Sequence, residues 1–197
     1  MANGALEEIM QKEFDKICYV IFDDTVKIFT NKIRKILIEA DILDFFQRIG
    51  INTPLDMPLC DFVAPLNNIG YGRIGSIDFG DVSWVVPTVQ ARVATCAVGT
   101  SFHTWQAVAQ GKSSLAHKGM IHAAKVMAST ARALIEDPKN LKEAKEIFNS
   151  QVSKNPYICP IPKDILPPVI KKIFKFLFFK ICICFIIKYK AYDYLRS

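Results

Sequence analysis

SIDFGDVSWVVPTVQARVATCAVGTSFHTWQ, residues 76–106, is the stretch on which the fold turns. Val82, Trp84, Val85 and Val86 run up to Pro87, and Val89 to Val98 is a β-branched run interrupted by Arg92. Both segments read as strands, because branched side chains fit a pleated surface and proline closes such a run. Downstream, Ser113 or Ser114 caps a helix whose Leu115, Met120, Ala123, Ala124, Met127, Ala128, Ala131 and Leu134 give a small-residue face suited to close packing on a sheet. The expected fold class is therefore α/β, a mixed sheet flanked by helices.

Working outward, Leu6, Ile9, Met10, Phe14 and Ile17 recur at helical spacing, and a helical pattern runs from Asp24 to Phe46. Pro54, Pro58 and Pro65 break the chain into a loop, and Pro138 ends the long helix before a shorter one capped by Asn140.

The polar residues of the central stretch carry the candidate chemistry. His103 follows a Gly-Thr-Ser turn and precedes Thr104, Trp105 and Gln106, so it reads as a loop histidine leaving a strand, able to reach a metal or polarise a carbonyl. Trp105 and Gln106 read as packing and supporting residues. Asp78 and Asp81 flank Gly80 after Gly70, Gly72 and Gly75; Asp78 either meets a ligand through this loop or stabilises a turn. His117 and His122 lie in the long helix, with His117 near its start.

Charge is unevenly spread. Lys plus Arg balance Asp plus Glu from Met1 to Pro162, so the whole formal +6 falls in residues 163–197. A basic tail on a neutral body excludes a nucleic-acid-binding domain as the source of the high isoelectric point. The six cysteines show no CxxC pair or zinc-finger spacing and no signal peptide precedes them, which points to a reduced, cytoplasmic protein.

The order of these pieces resembles the C-terminal part of the zinc-dependent aminoacylase and carboxypeptidase-like metallopeptidases, in the amidohydrolase branch of p-aminobenzoyl-glutamate hydrolase and dipeptidases. NGALEEIMQKEF at the start resembles the segment returning from that family's lid domain, and NPYICPIPKDILPP resembles its natural end, so the resemblance covers residues 1–167. It implies that HTWQ places a metal-ligand role on His103, that the loop around Ser76 and Asp78 helps hold substrate, and that the metal is zinc; His117, near the start of its helix, either faces the mouth of the site and contacts substrate or is a structural residue. The implied substrate is an N-acyl amino acid or dipeptide-like amide of the p-aminobenzoyl-glutamate type.

The family's other motifs, a histidine with a bridging carboxylate and a catalytic Glu-Glu pair, precede the matched region. The chain has three histidines, and Glu7 and Glu8 lie in the returning helix. The resemblance thus implies a truncated catalytic domain, inactive alone and completed by a separate N-terminal half or a homodimer. Ile77 stands where the branch has a small hydroxyl residue, and Ser101-Phe102 replaces a Pro-Gly turn.

Residues 168–197 form a basic, apolar tail. Residues 173–187 are apolar except for Lys175 and Lys180, shorter than the roughly 20 residues needed to cross a bilayer. The tail reads as a spurious extension or, in the second functional reading, as an interfacial helix that gives a non-catalytic binding protein peripheral membrane contact.

Overall fold

The computed structural model describes residues 1–49, 57–66, 78–162 and 164–166. Among the described residues seven helices form and there is no strand, which overturns the expected α/β fold with its mixed sheet. The helices are α1 (Gly4–Ile17), α2 (Asp24–Arg34), α3 (Glu39–Ile49), α4 (Phe79–Val85), α5 (Trp105–Gln110), α6 (Ser114–Glu136) and α7 (Pro138–Lys154). The basic tail lies outside the described residues.

The run at residues 82–86, expected as a strand, falls largely inside α4. Phe79, Val82 and Val85 recur at three-residue spacing, so the same residues satisfy a helical period, and a short apolar run does not separate the two. Ser83, fully buried, donates to the Gly80 carbonyl at 2.6 Å and ties the helix to its own first turn. Residues 87–98 run without regular structure. This segment bonds across to a distant one through Val98 N and the Pro58 carbonyl, 3.0 Å apart. Pro58 has no N–H to return the bond, so the pair cannot propagate as a ladder there.

The helical expectations fare better. The apolar spacing read from Leu6 to Ile17 is α1, capped by Asn3, whose Oδ1 accepts from Leu6 N while its Nδ2 donates to the Ala144 carbonyl at 2.8 Å. One side chain thus starts α1 and fastens it to α7. The helix read from Asp24 to Phe46 divides at residues 35–38 into α2 and α3. Pro138 ends α6 and also opens α7 at its first turn, where the missing N–H costs nothing; Asp137 supplies the cap, and Asn140, expected to do so, lies inside the helix.

α1, α6 and α7 pack on one another. The buried stripe of α6 is Leu115, Gly119, His122, Val126 and Thr130, rotated from the expected small-residue face, of which Leu115 alone is fully buried. Leu115 joins Val20, Phe22, Val26 and Leu59 in one apolar cluster, and Ile42, Phe46 and Val98 form a second. Each fully buried Leu or Val contributes about 1.5–3 kcal/mol relative to exposure. Gly119 lets residues 94–95 lie against α6, because a Cβ there would stand 2.1 Å from the Ala94 carbonyl oxygen.

Candidate functional site

The turn bearing His103 is built by polar side chains from three directions. Thr104 caps α5 by accepting from Ala107 N at 3.4 Å, and its hydroxyl donates to the Ser101 carbonyl at 2.6 Å. Ser101 Oγ donates to Asp41 on α3 at 2.8 Å. Beneath the turn, the fully buried Gln110 accepts from Ala97 N at 2.7 Å and donates to Thr100 Oγ1 and to the Gln106 carbonyl, each at 3.0 Å. Every one of these bonds engages a residue within seven positions of His103.

His103 itself is exposed, with φ of +63°, in the left-handed region that histidine enters more readily than most residues. It leaves a loop rather than a strand. Trp105, expected to pack, is 64% exposed and opens α5 toward solvent beside it.

The remaining expected site residues are dispersed. Asp78 is exposed at the N-terminal boundary of α4 and makes no capping bond. Asp81 instead accepts from the Tyr157 hydroxyl at 3.0 Å, an interaction that pushes that phenol up to about 12. His117 is exposed on the first turns of α6. Ser76 lies outside the described residues. Among the described residues no three His, Cys, Asp or Glu side chains come together closely enough to hold a metal ion, so these residues do not by themselves make the zinc centre that the resemblance implies.

A cavity of about 260 Å³ among the described residues lies elsewhere. It is lined by Phe14, Cys60, Arg92, Cys96, Phe102 and His122 among others, and none of His103, Asp78 or His117 borders it. His122 is buried and tilted against Phe14 with ring centroids 6.1 Å apart. Burial, and secondarily the Lys125 ammonium, lowers its pKa from the ordinary 6.5. The sequence pattern drew attention to His117 rather than His122. The spacing of His122, three from Gly119 and seven from Leu115, is the signal that places it on the inward stripe. Among the described residues no helix is long and apolar enough to cross a membrane.

No family model matches the chain, and no solved structure matches it. Over 113 residues the chain is 43% identical to a subunit of the p-aminobenzoyl-glutamate hydrolase of Escherichia coli (strain K12), a match covering 57% of this chain and 24% of that relative. The chain therefore spans about a quarter of the length of the hydrolase subunit to which it is similar.

Proposed function

We propose that this chain is a portion of an amidohydrolase of the p-aminobenzoyl-glutamate type, cleaving an N-acyl amino acid or dipeptide-like amide and inactive by itself. The observation that carries the reading is the 43% identity to a hydrolase subunit over 113 residues. The braced, exposed turn at His103 supports it, because an imidazole held out on a rigid turn suits a site completed by groups from elsewhere. His103 is this chain's contribution to a zinc site whose other donors come from the part of the enzyme matched by no residue here. Ser76, Asp78 and His117 are the positions assigned to substrate contact, and the relative's designation as a subunit fits a partner chain.

The test is zinc content and hydrolysis of p-aminobenzoyl-glutamate by the purified full chain, alone and mixed with the portion of the bacterial relative outside the match. Turnover on mixing, lost in His103→Ala, supports the reading. Turnover and stoichiometric zinc in the chain alone overturn its inactivity, and absence of both in every combination overturns the hydrolase assignment.

A further inference from the structure

The cavity that the hydrolase reading leaves unused is an apolar chamber with a cation at its rim. Phe14 of α1, Phe45 of α3, Phe62 and Phe102 line it, and each of the four rings is only half-buried because it borders this space rather than packed protein. Clustered apolar surface left open in this way marks a place that something else covers. The walls are tied in place from outside the cavity. Arg34 Nη1 donates to the carbonyls of Met57 and Val98, at 2.9 and 3.4 Å, and Val98 N donates to the Pro58 carbonyl at 3.0 Å. Gln11 Nε2 donates to the Ala64 carbonyl at 3.2 Å, which joins α1 to the same wall. The chamber is therefore formed before a ligand arrives. Arg92 borders it and is exposed, and among the described residues no hydrogen bond or ion pair engages its guanidinium. No Asp, Glu or Lys stands among the described lining residues. His122 and Cys60 on the walls are kept neutral, because burial lowers the imidazole and pushes the thiol up to about 11.

We propose that this cavity binds a fused two-ring aromatic monocarboxylate, its rings against the phenylalanines and its carboxylate on Arg92. Size sets the number of rings. A dry cavity of about 150 Å³ holds benzene, so one of about 260 Å³ holds, in proportion, about ten ring carbons. A single ring leaves the walls uncovered, and three rings do not fit. Lining chemistry sets the shape, because aromatic rings take a flat partner by offset or edge contact, as Phe14 already does with His122 at 6.1 Å. Charge sets the head group. A guanidinium receives a carboxylate through two parallel N–H···O bonds, and the unengaged Arg92 has that capacity free at the rim. A second negative charge on the ligand would find no partner among the described lining residues and would carry its desolvation cost uncompensated. None of His103, Asp78 or His117 borders the cavity, so the inference is independent of the hydrolase reading.

The test is isothermal titration of the full chain with 2-naphthoate at physiological salt, which screens the basic tail. The expected result is one site per chain. 2-Naphthamide, with the same rings and no charge, should bind about ten- to a hundredfold more weakly, the loss of a charge-assisted hydrogen bond. Arg92→Gln should bring 2-naphthoate down to the level of the amide and leave the amide unchanged, and an exposed side chain without a partner can be replaced without disturbing the fold. Ala64→Phe, which fills the cavity while keeping the carbonyl that Gln11 engages, should abolish both. p-Aminobenzoyl-glutamate, with one ring and two carboxylates, should not displace 2-naphthoate. Undiminished 2-naphthoate binding in Arg92→Gln, or in a helical Ala64→Phe chain, puts the ligand elsewhere, the basic tail included, and overturns the proposal. So does decanoate binding as tightly as 2-naphthoate, displacement by p-aminobenzoyl-glutamate, or no uptake of 2-naphthoate at any soluble concentration. Where Ala64→Phe fails to fold, the acid and amide compared in Arg92→Gln decide the matter.

Discussion

Gln110 accepts the Ala97 backbone N–H at 2.7 Å, so one amide on α5 anchors the loop that leads into His103. Gln110 has no exposed surface, and its Nε2 is also engaged, by Thr100 and by its own helix. Gln110→Leu fills similar volume but leaves the Ala97 N–H buried without a partner, a loss of about 1–3 kcal/mol. In a chain of this size each kcal/mol lowers the melting temperature by about 2–4 °C. Thermal melts followed by circular dichroism check this, and an unchanged midpoint would mean that the turn is not held by this amide.

Gly119 and Gly80 make a matched pair of opposite sign. An alanine Cβ at 119 meets the Ala94 carbonyl at 2.1 Å and Thr95 Cγ2 at 2.8 Å, so residues 94–95 must move off α6. Gly119→Ala should destabilise by about 1–3 kcal/mol. At Gly80, inside α4, nothing lies within 4 Å of the added carbon. Gly80→Ala should stabilise by about 0.4–1 kcal/mol through lower unfolded-state entropy. Urea midpoints of the two variants, measured together, check both signs.

Acid should weaken the fold in two separate windows. His122 has its pKa lowered below 6.5, so the folded state prefers the neutral ring. Its contribution is fully present above pH 6.5 and is lost as pH falls from there through the folded value. Glu13, buried on α1, has its pKa lowered from 4.5 by the bonds from Lys16 and Ser129. Its contribution is present above pH 4.5 and is lost as pH falls through its own folded value. Denaturation midpoints followed from pH 8 down to about pH 2 should fall in both windows, with His122→Gln flattening the upper one alone and Glu13→Gln the lower.

α1, α2, α6 and α7 were legible because each of them carries a start signal and a period. Asn3, Asp23, Ser113 and Asp137 cap where the polar pattern changes, and the spacing of Leu6, Ile9 and Met10 suffices to orient α1. Residues 79–98 were not, because strand or helix there depends on what lies alongside. The one cross-chain backbone bond described for that run ends on a proline, which offers nothing in return. The candidate site was legible in one respect, that His103 occupies a polar loop, and illegible in another. Which histidine faces inward on α6 depends on helix rotation, and the buried stripe runs through Leu115, Gly119, Val126 and Thr130 rather than through Met120 and Ala124.

The left-handed backbone of His103 gives a test that separates stability from function. A non-glycine residue in this region costs on the order of 1 kcal/mol, and the surrounding bonds of Ser101, Thr104 and Gln110 hold it there. His103→Gly relieves that cost and should raise the melting temperature of the isolated chain by about 2–4 °C. His103→Asn, a residue also tolerant of positive φ, should leave it nearly unchanged, and His103→Ala should fall below both. If the imidazole is what the turn exists to present, every one of these variants loses hydrolysis in the mixed assay whatever its stability. A stabilised glycine variant that retains full turnover would remove His103 from the site and leave the strained turn without a functional reason.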